Sequence, residues 1–317
     1  ARVVEEVAAA DLAAAFSLVV HNNHLRAIVN SANEKLIERE LASLISGERV
    51  GAFLLTEPGV GSDAAAITTR AVRDGEEWVI NGEKAWVTNA AVADSLNVFA
   101  QSDPGLGHRG IVSILVTADT PGVTRLDPYE LVGGYGMGTG GFRFEDVRVP
   151  VADTLAQPGA AFAAAMGGID VARVVVGAMC CGIMRTSLDV ALDATASRQL
   201  FGSTVAGQQG VQWMLADAAT DLEATRLLTY HAADLLATDD EGAPLAAAHA
   251  KKFAARAAER AVTACMQSLG ASGMRRSDDN PLPRHLAGAR VANYIDGTTE
   301  IQNVVIARAI WAGRQPR

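Results

Sequence analysis

Between Val50 and Pro150 the chain drops the Ala/Leu/Glu-rich, proline-free text that runs from Ala1 to about Gly47, and after about Ala160 it returns to helical spacing. This double switch of period confines the fold to a β-domain set between two helical segments. The first segment reads as two or three helices, the last ending near Ser46-Gly47. In the second, Glu77-Trp-Val-Ile, Lys84-Ala-Trp-Val-Thr, Leu96-Asn-Val-Phe-Ala, Ile111-Val-Ser-Ile-Leu-Val and Gly141-Phe-Arg-Phe read as strands. Turn signals at Asp74-Gly75, Asn81-Gly82 and Pro121-Gly122 separate them, which predicts an antiparallel domain. In the third, Val211, Leu215, Ala218 and Leu222 share one face of a long helix. Asp239 to Pro244 breaks the helical text there, and Gly270 to Pro283 is a second loop, rich in glycine and charge. The expected domain limits are 1–49, 50–155 and 156–317.

A chain of 317 residues, 49% of them hydrophobic, can bury a large core. Its net charge of −9 supplies no basic field for nucleic acid or anionic lipid, so neither is an expected partner. Cys180, Cys181 and Cys265 suit reduced, buried thiols better than a disulfide framework or a zinc site, which points to the cytoplasm. The most apolar segment, Val174 to Met184, is too short to span a bilayer, and Glu5 and Glu6 stand where an export signal needs basic residues, so no membrane insertion is expected.

The stretch most suggestive of a ligand is Phe53-Leu-Leu-Thr-Glu-Pro-Gly-Val-Gly-Ser-Asp63. An apolar strand end breaks there into a turn where Gly59 and Gly61 permit positive φ or close approach, and Thr56 and Ser62 add hydroxyls beside exposed N–H groups. A phosphate or an oxidised ring suits such a turn.

Taken with four further motifs, this turn resembles the acyl-CoA dehydrogenase family. The family's Thr-Glu-Pro-Gly-x-Gly-Ser-Asp turn stands at 56–63 and its Trp-x-Thr element at 86–88. Its Arg-x-x-Phe-Gly motif is Arg198 to Gly202, followed by Gln209; its Gln-x-x-Gly-x-x-Gly loop is Gln267 to Gly273; and a late segment runs from Tyr294 to Gln302. The five lie in order over nearly the whole chain. The resemblance implies an α+β fold: an N-terminal helical domain, incomplete in this sequence, a middle antiparallel β-barrel domain, and a C-terminal four-helix bundle. It also implies FAD, lying against Phe53, Leu55, Thr56, Gly61, Ser62, Trp86, Val87 and Thr88, with Thr298 and Glu300 near it. Arg198, Leu200, Phe201, Gln208, Gln209, Gln267, Leu269, Gly270 and Ala271 are implied to hold the FAD of a neighbouring subunit in a homotetramer, or at least a dimer.

The implied reaction removes a proton from Cα of an acyl thioester and a hydride from Cβ, which passes to flavin N5. The base position falls on Asp296, and the alternative base position used by some members holds Ala172. Ser62, Asp170, Arg173 and Gly297 match positions along the substrate. The thioester carbonyl would be held by a ribose hydroxyl of FAD and the Asp296 N–H, and electrons would leave to an electron-transfer flavoprotein. The acyl carrier is CoA or a carrier-protein arm. Two other readings share the motifs: a flavin oxidase or monooxygenase on the same fold, and a non-catalytic subunit of a mixed oligomer.

Several positions depart from the family pattern. Ile295-Asp296 stands where Tyr-Glu is usual, so the carboxylate is one methylene shorter; Val60, the Ala287-Gly288 pair and Glu300 also differ. A displacement of about 1 Å at a reacting group can cost roughly 10²-fold in rate, so a shorter base requires a compensating shift. Desolvation beside a flavin should raise the pKa of Asp296. Read without the family, Asp296-Gly297 is a turn, and Thr298 or Thr299 caps the helix from Ile301 to Ile310.

Other signals lead away from chemistry. Gly134-x-Gly-x-Gly138 lacks a surrounding βαβ unit and reads as a β-domain loop. His21 and His24 have metal-like spacing without a third ligand, so they are placed on a helix surface or domain interface, and no metal is assigned. Glu57 and Asp63 are expected to accept backbone N–H bonds in their turn.

Overall fold

The computed structural model describes residues 1–132, 136–277 and 279–312. They fall into two compact units. One comprises Ser17–Glu130 and Gly136–Gly168 and holds the sheet; of the other, the described residues are Ala1–Phe16, 131–132, 169–277 and 279–312, and they are mostly helical.

Three helices open the chain: α1 (Arg2–Ala10), α2 (Leu12–Asn30) and α3 (Glu34–Ile45). Helix α3 starts where the Asn33 side chain accepts the Leu36 N–H, an ordinary cap. The strands β1 (Gly51–Leu54), β2 (Arg70–Asp74), β3 (Glu77–Val87), β4 (Ser95–Gln101), β5 (Ile111–Thr117), β6 (Val123–Arg125), β7 (Gly140–Pro150) and β8 (Thr154–Ala156) form one sheet in the order β6-β7-β3-β2-β4-β5-β8, with β1 added on β4. Most pairs are antiparallel, as the turn signals predicted. The departure from a purely antiparallel domain is at β4, whose partner β1 is parallel throughout and whose link to β2 is a single parallel pair, Arg70 with Gln101. Parallel pairing needs a long crossover, and the segment between β1 and β4 supplies one.

Asn81-Gly82 is not a turn. Strand β3 runs straight through it and absorbs it as a register shift against β7, with Gly82 at φ 145°. Asp74-Gly75 does close the β2–β3 hairpin, where Asp74 pairs with Glu77. The sheet core is made of alternate residues such as Ile80, Val98, Ile114, Phe142 and Phe144.

Of the two places expected for His21 and His24, the structure gives the interface between the first helices and the β-domain, not a helix surface. Gly51 N–H donates to His21 Nδ1 (3.0 Å), His21 Nε2 pairs with the Leu44 carbonyl oxygen (2.9 Å), and fully buried His24 pairs through Nε2 with Ser95 Oγ (2.8 Å). The two rings fasten α2 to α3 and the sheet.

Helix α4 (Ala161–Ser197), which lies in the helical unit from Ile169 onward, is followed by a small hairpin of β9 (Gln199–Leu200) and β10 (Ser203–Thr204). Then come α5 (Gln209–Ala237), α6 (Ala243–Ser268), a short 3-10 turn (Gly270–Met274), α7 (Leu282–Val291) and α8 (Thr299–Trp311). The Asp239–Pro244 break falls between α5 and α6, as expected. Alanine dominates the buried side of α6, for example Ala247, Ala250, Ala254 and Ala258, so its neighbours approach closely. Val174 and Ala232 pack on Ala247 and Ala250, joining α4, α5 and α6. Gly177 faces Thr229 with no room for a Cβ. Glu5 is buried and ties α1 to α5 by accepting from Arg226 (2.8 Å) and Tyr230 (2.8 Å).

The apolar run from Val174 to Met184 is only part of a 37-residue helix that is long and apolar enough to cross a membrane by length and composition. Of its most apolar window 61% is buried inside the protein, the pattern of a core helix. The three cysteines are free and buried, their thiols pushed up by desolvation to about 12 for Cys180 and Cys265.

Candidate active site

In the sheet unit the loop 56–63 is folded against β3 by a buried ion pair. Lys84 Nζ donates to the Leu55 carbonyl oxygen (3.0 Å) and to Glu57 Oε1 (2.8 Å), and the Ala85 N–H donates to the Thr56 carbonyl oxygen (3.0 Å). Glu57 also accepts the N–H groups of Thr68 (2.7 Å) and Thr69 (2.9 Å), the backbone role expected of it. Lys84 and these donors hold its carboxyl down at about 2 against the cost of burial; desolvation lowers Lys84 to about 8, so both are charged at neutral pH. Across the turn, Glu57 and Val60 exchange backbone bonds, leaving Gly59, Gly61, Ser62 and Asp63 exposed.

Sequence-distant Thr56 and Trp86 are thereby brought side by side. Trp86 is 58% exposed, stacks on Tyr129 with ring centroids 4.6 Å apart, and sits at φ 57°. A bulky residue in the left-handed region is a strained conformation that the surroundings must hold. Thr88 is buried, while Leu55 and Val87 give their side chains to the interior, so Val87 can offer a ligand only backbone. Phe53 is half-buried against Phe99.

The helical unit brings two more motifs together. Arg198 donates from Nη1 to the Leu269 carbonyl oxygen (2.9 Å), so its guanidinium lies on the Gln267–Ala271 segment. Leu269 is buried; Gln267, Gly270 and Ala271 are exposed. Phe201 and Gly202 form the β9–β10 turn with φ 50° and 79°, which leaves the Phe201 ring 91% exposed. Leu200 is exposed beside it, Gln208 donates to Ser203 Oγ (2.8 Å), and Gln209 is the first residue of α5.

The third cluster is built on the loop before α8. Asp296 and Gly297 have φ 52° and 88°, and Thr298, the cap of α8, accepts the Ile301 N–H (3.3 Å). The turn reading of Asp296-Gly297 and the cap reading of Thr298 therefore both hold, alongside whatever else Asp296 does. Carbonyl oxygens of this loop point inward and collect donors. Arg173 Nε (3.2 Å) reaches that of Asp296, Lys251 Nζ (2.7 Å) and Gln302 Nε2 (3.0 Å) reach that of Gly297, and Lys251 also reaches that of Asn293 (3.2 Å). Arg173 is held in turn by Asp170 (2.7 Å), whose own carboxyl burial pushes up. Glu300 is exposed in the first turn of α8 and its carboxyl is lowered by backbone donation there.

The Asp296 carboxyl is the part left unspent. Its Oδ2 is buried and has no hydrogen-bond partner among the described residues. Burial pushes its pKa up to about 6 although Lys251 and Arg173 pull the other way. The arrangement yields a carboxylate at neutral pH that is poorly solvated, unbonded at one oxygen and close to its own titration point, which is what a general base requires. Ala172 is buried on α4 and offers no alternative.

Sequence reasoning missed Lys251 and Gln302, both fully buried. A signal existed for the lysine, since it falls in phase with Ala247, Ala254 and Ala258 on the buried stripe of α6. Of the glycine loop, Gly134 lies outside the described residues, and Gly138 turns at φ 53° with Ala91 against its Cα.

Residues 52–147 match the acyl-CoA dehydrogenase middle domain, and residues 159–311 match the acyl-CoA dehydrogenase C-terminal domain. The chain belongs to the acyl-CoA dehydrogenase family. It is 37% identical over 307 residues to the human mitochondrial short-chain specific acyl-CoA dehydrogenase, covering 96% of this chain and 73% of that one. Butyryl-CoA dehydrogenase from Megasphaera elsdenii superposes with a TM-score of 0.92 at 32% identity, covering 97% of this chain and 80% of the other. The prolyl acyl carrier protein oxidase AnaB superposes at 0.87 and 26% identity, covering 94% and 82%.

Acyl-CoA dehydrogenases are oxidoreductases that dehydrogenate acyl-CoA with FAD, and the residues present fit that cofactor. The sheet unit offers an exposed, strained tryptophan beside hydroxyls and free loop N–H groups; the helical unit offers a guanidinium on a glycine loop and an exposed phenylalanine.

Proposed function

We propose that this acyl-CoA dehydrogenase removes the α-proton of an acyl thioester with Asp296. The unpartnered, buried Oδ2 carries the reading: a carboxylate oxygen kept dry and unbonded gains a partner only when a proton is presented to it. Above about pH 6 Asp296 is ionised and can accept the Cα proton; Lys251 and Arg173 then offset part of the cost of its buried charge. FAD, when bound, supplies the two-electron acceptor for the Cβ hydride. Phe53, Leu55, Thr56, Gly61, Ser62, Trp86 and Thr88 are its proposed contacts from the sheet unit. Arg198, Phe201, Gln209 and the Gln267–Ala271 loop would serve the cofactor of a neighbouring subunit in a homo-oligomer. Asp170, Arg173 and Gly297 of the helical unit would line the substrate, and an electron-transfer flavoprotein would take the electrons.

Anaerobic titration of the flavoprotein with a panel of acyl thioesters tests the base. Wild type should bleach with at least one of them, and Asp296→Asn should not; unchanged bleaching by the variant rejects the assignment. Likeness to a carrier-protein oxidase supports a second reading, in which the acyl group arrives on a carrier arm and oxygen is the acceptor. Rapid reoxidation by air and a preference for carrier-bound substrate would select it.

A further inference from the structure

We propose that Lys251 is a positioning residue for the base: its buried ammonium holds the carbonyl oxygens of Asn293 and Gly297 and so locks the left-handed turn that presents the Asp296 carboxyl. The proposal rests on the reading of Asp296 given above.

Helix α6 has alanine at most of its buried positions, and an alkyl side chain would satisfy the packing there. A fully buried lysine carries a desolvation cost that only a specific contact offsets. Its contacts are specific in a telling way. Among the described residues no carboxylate bonds the ammonium; it donates to two backbone oxygens that flank Asp296, one on each side, at 3.2 and 2.7 Å. Three residues on two other elements complete the hold: Arg173 on α4 takes the Asp296 carbonyl oxygen, Gln302 on α8 shares that of Gly297, and the Thr299 N–H donates to the Asn293 carbonyl oxygen. Asp296 itself cannot relax out of the left-handed region without breaking these bonds.

Charge follows the same geometry. The groups acting on this spot are Asp170, Arg173 and Cys180 from α4, Glu259 from α6 through Asn293, and Glu300 from α8. Lys251 and Arg173 are the cations acting on the Asp296 carboxyl, and Arg173 is neutralised by Asp170. Lys251 is therefore the unneutralised one. Removing it should leave Asp296 harder to ionise and free the turn.

The readout is the carboxyl carbon of Asp296 in protein labelled with 13C-aspartate, its signal identified by loss in Asp296→Asn. In wild type it should titrate near pH 6. In Lys251→Met it should titrate higher by roughly 1–3 units, the usual effect of one close opposite charge. Lys84→Met, the same change at the other fully buried lysine, should leave it in place. In turnover, Lys251→Met should lower kcat by about 10²-fold, more than it raises KM. An Asp296 signal unmoved in Lys251→Met, or moved equally in Lys84→Met, overturns the proposal. If the methionine variant does not fold, the reciprocal measurement decides: with 13C-lysine label, Asp296→Asn must lower the Lys251 titration from about 8, and an unchanged value overturns the coupling. Neither titration needs substrate or flavin, so active Asp296→Asn would sink the base assignment while the Lys251 shifts are read independently.

Discussion

Three of the residues singled out from sequence share a property that no motif states: Trp86, Phe201 and Asp296 all occupy the left-handed region. Side chains with a Cβ are rarely placed there, so each of the three carries local strain; Ala32, Asn89, Asp146 and Asp239 share the conformation away from the expected contacts. Gly297, next to Asp296, is in the same region at φ 88°, and a Cβ there would meet Gln302 Nε2 at 3.0 Å and Arg173 Nη2 at 3.4 Å. Gly297→Ala should therefore destabilise the protein by about 1–3 kcal/mol, seen as a lowered Tm. It should also shift Asp296; a variant with wild-type Tm and wild-type bleaching would show that the turn tolerates a side chain. Asp296 was legible because it sits in a short contiguous motif. Lys251 was passed over although it falls in phase with the alanines of α6, because a lysine in a helix reads as solvated until the neighbours of that helix are known.

At the scale of elements, the Lys84–Glu57 pair decides whether the 56–63 turn is a shaped loop or a free one. Both side chains are buried and both serve the same two strands and turn. Removing one partner of a buried pair typically costs roughly 3–5 kcal/mol, because the other charge is stranded. Glu57→Gln should lose stability of that order by urea unfolding. FAD affinity should fall with it, since Thr56 and Ser62 would lose their fixed frame; a loss within the range of surface substitutions would refute the role. Strand β3 illustrates where local signals mislead. Asn81-Gly82 has the residue types of a hairpin turn, but β7 pairs on both sides of it and turns it into a bulge. The alternating runs revealed β3, β4, β5 and β7 and the apolar run at Phe53 the end of β1, whereas short β2, β6 and β8 have too few residues to show a period.

Across the whole molecule, buried titratable groups set an acid limit. His24 and His285 are fully buried, and desolvation lowers them to about 3 and about 4, so the folded state keeps them neutral. The unfolded chain binds protons at both below pH 6.5, and stability must fall as pH drops through that value towards 4. Glu57, depressed to about 2 from 4.5, adds a further loss below pH 4.5. Asp296 works in the opposite sense, since its raised pKa makes the folded state the better proton acceptor between about 6 and 3.8. Asp170, also raised by burial, acts in the same sense as Asp296, but the two histidines are displaced further, from 6.5 to about 3 and about 4, so the net slope is loss on acidification. Thermal unfolding followed from pH 7 to pH 4 should show a falling Tm, with a smaller slope in His285→Gln; a flat profile would mean that the buried rings take up protons without unfolding.

What could be read from residue order alone was local: the helix, strand and helix partition, the glycine turn at 56–63, the family motifs and the candidate base. Each depends on neighbours within a few positions, or on a short pattern that keeps its meaning wherever it is placed. The parallel strand β1, the bulge in β3, the meeting of Arg198 with Leu269 and the ring of donors around the Asp296 loop depend on segments tens to hundreds of residues apart. Only packing decides which faces are closed to water, and closure to water is what raises the Asp296 carboxyl, strips Oδ2 of a partner and turns an ordinary lysine on α6 into a fixed charge beneath it.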